Sequence, residues 1–341
     1  MAHAISIKGV TKAFAQKVAV NDLDLEVPEG SLYGFIGPNG AGKTTTIRMI
    51  MSIIFPDAGE LSVLGRASAV ESKDRIGYLP EERGIYRKMK AGPFLTYMAR
   101  LKGVHSHGLD AKVKSWLDRV GLADCHKKRC EELSKGMQQK IQFIAAIIHD
   151  PDLIILDEPF SGLDPVNRRL LRSLIDEQHR LGRTIIFSTH AMFEAEQLCT
   201  HLFMIHQGHK VLDMPLGRVW EAYDPRIIYA EPLDPAPASS TPGDLGALAF
   251  AASLPGVLGA EPSRRAGTGG GVDLRLADNA DVRAIMSGVA ARVGLRRIEL
   301  RRPNLEDIFI ELVGGDPASL RAQLRSGAEL AAVGSAEGVE S

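Results

Sequence analysis

Cysteine is scarce, with only Cys125, Cys130 and Cys199 in 341 residues. So few thiols argue against a disulfide framework and fit a reducing compartment. Neither Cys125-His126 with Cys130, nor His105 with His107, has the spacing of a structural zinc site. No stretch reaches the roughly 18 uninterrupted apolar residues of a membrane span. Residues 1–8 lack a signal-peptide apolar core. Any membrane role must therefore come through a partner chain. Neither sign of charge is in excess: 41 Lys and Arg face 42 Asp and Glu, a formal net charge of −1. That removes the electrostatic argument for a nucleic-acid partner. There is no internal repeat, long heptad run or basic tract. What remains, 45% hydrophobic and 24% charged, is the composition of an ordinary soluble globular protein. Its length suits about two domains.

The stretch GFIGPNGAGKTTTIRMI, residues 34–50, combines three kinds of signal. The apolar run at 32–36 reads as a short buried strand, and an apolar-periodic stretch from Thr44 to about Ile54 reads as a helix. Between them lies Gly37-Pro38-Asn39-Gly40-Ala41-Gly42-Lys43-Thr44-Thr45, a G-x-x-x-x-G-K-T phosphate-binding loop. Glycines are required because backbone N–H groups must close round phosphate oxygens, where a Cβ would collide. The helix N-terminus points its dipole at the same anion. Lys43 is placed to bridge the β- and γ-phosphates, and the Thr44 hydroxyl to bind Mg²⁺.

Residues 1–30 look β-rich, with alternation at Leu23, Leu25 and Val27. Residues 85–150 turn largely helical, and strand signals return at 153–156 and 184–187. Strands separated by helices predict a mostly parallel, covered sheet. Residues 232–243, PLDPAPASSTPG, read as a linker. With a strand at 227–230 before it, the pattern after it is helix (244–253), strand (256–263), strand (271–276), helix (280–293) and strand (296–301). That order, βαββαβ, is a ferredoxin-like split unit. A last helix, 304–313, carries Leu305, Ile308, Phe309 and Leu312 on one face. Residues 315–341 read as a mobile tail. The expected division is 1–222, 223–314 and the tail, with a helical subdomain at 85–150.

LIILDEPFSGLD, residues 153–164, ends a buried strand in Asp157 and Glu158. Open α/β sheets bind ligands at that carboxyl edge. Asp157 suits the Mg²⁺ shell, commonly through water, and Glu158 is placed to accept a proton from an attacking water. TIIFSTH repeats the geometry and ends in His190, which can hydrogen-bond the γ-phosphate. In ELSKGMQQKIQFIAAIIHD, residues 132–150, Met137, Ile141, Ile144 and Ile148 mark one helix face. Ser134 and Gly136 at that helix's start make a second anion site. One nucleotide does not need two such loops in a protomer, so a second copy of the chain could supply this one in trans.

This ordered set resembles the nucleotide-binding subunits of ABC transporters. The carrying motifs are GPNGAGKT (Walker A), LSKGM (signature), LIILDE (Walker B), SGLD (D-loop) and STH (switch histidine), across residues 4–220. The resemblance implies an α/β P-loop ATPase with a β-rich N-terminal part and a helical subdomain. It implies MgATP hydrolysis by Lys43, Glu158 and His190, Phe14 stacked on adenine, and Asp164 of the D-loop near the nucleotide. Glu81, in LPEERG, stands where the family has a glutamine and would contribute to the Mg²⁺ shell. Lys135 and Met137 replace a glycine and a glutamine of the usual LSGGQ signature. The 225–313 region, ending PNLEDIFIELVG, is similar to the accessory domain of ATPases paired with ABC type-2 export permeases, including the sodium-efflux-type group. The implied assembly is a homodimer on a multi-span permease, peripheral at the cytoplasmic face of the membrane and without nucleic acid. The competing class, soluble ABC ATPases of DNA repair or translation, generally has coiled-coil insertions or two cassettes, which this chain lacks. A regulatory module without turnover is disfavoured by Glu158 and His190.

Overall fold

The computed structural model describes residues 2–82, 84–223, 226–233, 245–263, 271–301 and 304–314. The expected tail and most of the expected linker lie outside these residues. The chain forms two compact units, one of Met1–Gly217 with the segment from Leu305 onward, the other of Arg218–Asn304.

The first unit opens with β1 (His3–Phe14), β2 (Lys17–Pro28), β3 (Leu32–Ile36), α1 (Lys43–Ile50), β4 (Ala58–Val63) and β5 (Ile76–Leu79). The helices α2 (Ala91–Leu101), α3 (Leu109–Arg119) and α4 (Lys135–Ile147) follow. Then come β6 (Leu153–Asp157), α5 (Pro165–Arg180), β7 (Thr184–Thr189), α6 (Met192–Leu198), β8 (His201–His206) and β9 (His209–Pro215). A short helix, α7 (Leu216–Ala222), spans the point where the chain leaves this unit.

β2-β1-β4 is an antiparallel sheet, and β5-β6-β7-β3-β8-β9 a second sheet, parallel except for its β8–β9 hairpin. The alternating Leu23, Leu25 and Val27 turn inward with Ile5 and Val10, and pack with α1 on Tyr33, Phe35, Ile155, Ile186 and Phe203 of the larger sheet. All residues of β3, β6 and β7 are buried. Each buried aliphatic side chain there contributes about 1.5–3 kcal/mol, which makes the strand ends that carry the chemistry stiff. α1 stops at Ile50, short of the expected Ile54, because Ser52 turns into the left-handed region at φ 54°. α4 is buried on nearly all sides from Gln139 to Ile147, not on the single face its periodicity suggests.

The second unit contains β10 (Ile227–Pro232), β11 (Val257–Pro262), β12 (Val272–Leu276), α8 (Val282–Ala290) and β13 (Leu295–Leu300). Their antiparallel order, β11-β12-β10-β13, is that of the ferredoxin-like split unit. The expected first helix is instead a run of 3₁₀ turns at Gly246–Ser253. Its all-apolar sequence, GALAFAAS, has no helical stripe, and Leu248 and Ala251, three apart as the tighter turn requires, enter the core. The last helix, α9 (Leu305–Val313), packs on α6 of the first unit, although the sequence groups it with the second.

Candidate active site

The loop after β3 is shaped by its glycines. A Cβ on Gly37 would lie 2.2 Å from the Ile205 carbonyl oxygen, and one on Gly42, at φ 116°, 2.6 Å from that of Ala19. Side chains are excluded there, so the backbone can curl tightly enough to close round an anion. Lys43 is buried and donates from Nζ to the carbonyls of Gly37 at 2.7 Å and Pro38 at 3.2 Å. Burial pulls its pKa below the usual lysine value, while Glu158, Asp157 and Glu81 oppose that shift.

β6 and β7 deliver the other groups to the same edge. Asp157 Oδ1 accepts from the Ser188 hydroxyl at 2.5 Å and makes a long 3.4 Å contact with the Thr44 hydroxyl. Its other oxygen, Oδ2, is buried with no hydrogen-bond partner. Burial raises the Asp157 pKa against the Ser188 and Thr44 bonds. Glu158 sits at φ 49°, a left-handed strain of about 1–2 kcal/mol for a residue with a Cβ. Its N–H donates to Ser188 Oγ at 3.0 Å. Its carboxylate lies 2.9 Å from His190 Nδ1 and 4.0 Å from Lys43 Nζ. Glu81 is held above the usual carboxylate range by burial and then by the charges of Asp157 and Glu158.

Phe14, Asn39, Gly40, Gly42, Lys43, Thr44, Thr45, Glu81 and Glu158 line a cavity of about 360 Å³. Phe14 is 48% exposed, so it is a rim residue and not a core phenylalanine. Two residues passed over in the sequence, Lys17 and Ala19, also line the cavity. Lys17 pairs with Phe14 across the β1–β2 hairpin, a placement that its sequence offset of three does announce. Ser188 was missed as well, although a serine directly after the apolar run Ile185-Ile186-Phe187 was the available signal. Gln139 Nε2, buried in α4, donates to the Pro159 carbonyl at 3.1 Å and ties the signature helix to the end of β6.

Eight predicted residues do not line this cavity: Gly37, Pro38, Ala41, Asp157 and His190, which adjoin or contact its lining residues, and Ser134, Gly136 and Asp164. Ser134 is exposed and caps α4 by accepting from the Met137 N–H at 3.3 Å. Gly136 lies against Leu163 and Asn167 of the same chain. Asp164 accepts from the N–H groups of Val166 and Asn167, both at 2.9 Å, so its carboxylate is engaged as the N-cap of α5.

The family described as ABC transporter matches residues 20–161, and that described as ATP-binding protein DrrA1-3-like, C-terminal domain, matches 245–313. An uncharacterized ABC transporter ATP-binding protein, YhaQ of Bacillus subtilis (strain 168), is 40% identical over 310 residues, covering 91% of this chain and 98% of that protein. The Nod factor export ATP-binding protein I of Sinorhizobium fredii (strain NBRC 101917 / NGR234) is 33% identical, covering 91% of this chain and 86% of its own length. A solved ATP-binding subunit of an ABC transporter superposes with a TM-score of 0.61 at 27% identity, over 64% of this chain and 93% of that one. With the glycine loop, the two carboxylates and the histidine gathered on one edge of a mostly parallel sheet, the chain belongs to the ATP-hydrolysing, ATP-binding subunits of ABC transporters.

Proposed function

We propose that the chain works as a homodimer that hydrolyses MgATP at the cytoplasmic face of a membrane and drives export through a separate multi-span permease of the ABC type-2 kind. The supporting observation is the meeting of Lys43, Glu158 and His190 within 4.0 Å and 2.9 Å contacts at the loop that accepts phosphate.

The glycine-loop N–H groups bind the phosphates, and Phe14 stacks on the adenine at the cavity rim. Lys43 exchanges its carbonyl partners for β- and γ-phosphate oxygens, a stronger, charge-assisted pairing. The donor set fits Mg²⁺. Asp157 has one unpartnered buried oxygen and meets the Thr44 hydroxyl with the other, and burial disfavours the ionised forms of both Asp157 and Glu81, a cost that a bound cation would offset. When bound, Mg²⁺ neutralises charge on the phosphate oxygens. Glu158 accepts a proton as the water oxygen bonds to the γ-phosphorus and the bond to the β–γ bridging oxygen breaks, giving ADP and phosphate. His190 holds the Glu158 carboxylate on one side and the γ-phosphate on the other. The exposed Ser134, with Gly136 beside it, serves the nucleotide of the second copy.

The export reading rests on the Nod factor export relative. Its test is to express the chain with and without its cognate multi-span protein, then measure membrane association and ATP hydrolysis. A chain that stays soluble and hydrolyses at the same rate in both cases would remove the transport role and leave the ATPase.

A further inference from the structure

α6 has only seven residues, too few to hold its own position by helical hydrogen bonding. Its place is set by what it touches, and it begins one residue beyond the Ala191 N-cap that follows His190. Three supports surround it. Against β3, Ala195 and Cys199 close on Gly34, where a Cβ would lie 3.3 Å from the Cys199 sulfur. Towards α5, the buried Glu194 carboxylate binds Arg172 at 2.6 Å and Arg168 at 3.3 Å. The third support comes from the far end of the chain. Glu196 Oε1 accepts from the Leu305 N–H at 2.7 Å, and so satisfies a backbone donor at the start of α9.

α9 reaches the site by a second route as well. Its buried Phe309 stands edge-on to His206, with ring centroids 5.7 Å apart. His206 ends β8, and the neighbouring Ile205 carbonyl is the one that abuts Gly37 of the phosphate loop. One helix, α9, thus braces both the helix behind His190 and the strand end behind the loop. Between Gly217 and Leu305 the chain forms the second unit, so α9 is the point where that unit's chain returns.

We propose that α9 is a clamp on the active site, and that Glu196 is a positioning residue which holds His190 against Glu158 by pinning α6 to α9. The inference rests on the role given to His190 above. Loss of the pin lets His190 drift, and a displacement near 1 Å is enough for a large rate loss with little change in nucleotide binding.

The test uses the full chain, with kcat and KM for ATP, equilibrium ATP affinity and thermal unfolding measured together. Glu196→Ala should lower kcat about tenfold, with KM and affinity within about twofold. Glu196→Gln keeps an acceptor oxygen and should restore most of the rate. Phe309→Ala, which acts through the other route and loosens the strand end behind the phosphate loop, should lower kcat and weaken ATP affinity together. If Glu196→Ala does not fold, Glu196→Asp, which keeps the charge but loses reach, carries the same expectation. His190→Ala separates the two readings. Wild-type kcat in His190→Ala would overturn the role of His190 itself. An inactive His190→Ala beside Glu196→Ala and Phe309→Ala variants that melt earlier yet keep wild-type kcat would overturn the clamp alone.

Discussion

Lys43 and Glu158 are neighbours at 4.0 Å, but their replacement should have opposite kinetic signatures. Lys43 is a ground-state binding group whose carbonyl partners serve until phosphate arrives. Lys43→Ala removes a charge-assisted contact worth about 1.5–3 kcal/mol, so ATP affinity should fall about tenfold to a hundredfold. Titration calorimetry showing unchanged affinity would remove the phosphate-loop assignment. Glu158→Gln keeps the size and one acceptor oxygen but cannot take the proton. Hydrolysis should slow by about 10²–10⁴ while binding persists, and the ATP-bound form should accumulate as a dimer. Near-normal turnover would mean that another group activates the water. Ser188 supports both acids, since one hydroxyl donates to Asp157 and accepts from the Glu158 N–H. That pairing offsets the strain of Glu158 at φ 49°.

At the scale of helices and strands, the join between α4 and β5 is sensitive to acid. His149 follows α4, its Nε2 is 3.2 Å from the Ile76 carbonyl, and the Lys102 ammonium shares that carbonyl at 2.9 Å. Burial, then the Lys102 charge, pushes the imidazole pKa down to about 4 from an ordinary value of 6.5. Below pH 6.5 the unfolded chain binds a proton that the folded chain refuses until about pH 4. Stability from this group is therefore full above pH 6.5, falls as the pH drops towards 4, and levels off below. His149→Gln, which keeps a donor for the carbonyl, should lose less melting temperature between pH 7.5 and 5.0 than the wild type. Equal losses would place the acid sensitivity elsewhere. The same scale divides what the sequence discloses from what it hides. The unbroken runs in β6 and β7 are legible because a strand covered on both faces admits only apolar residues. The phosphate loop is legible because its backbone constraint falls on Gly37 and Gly42 themselves. Ser188 and Gln139 are not, since their partners Asp157 and Pro159 lie 31 and 20 residues away. Nor is the partner of α9, because an apolar face reads alike whichever core covers it.

For the whole molecule, motif order and packing draw different boundaries. Every predicted catalytic residue lies before residue 217, yet α9 belongs to the same unit. Cutting at residue 225 would therefore strip a packed helix as well as an accessory unit. The larger question is whether one chain completes its own site. Ser134 is exposed and does not line the cavity that holds Lys43, as expected of a group meant for a second copy. A Lys43→Ala chain has a damaged loop and a sound signature. A Ser134→Arg chain has the reverse, because a bulky cation blocks the serine's approach to phosphate, and losing the α4 cap costs only about 1 kcal/mol. Each homodimer then has two defective sites, whereas a mixed dimer has one doubly defective site and one intact. Mixing the two inactive proteins should restore partial ATP occlusion, and hydrolysis too where one site fires alone. The amount of radiolabelled ATP occluded per dimer should peak near equal mixing, with the permease present where isolated chains fail to pair. A signature acting within its own chain predicts no rescue at any ratio, because neither parent then has both halves of a site.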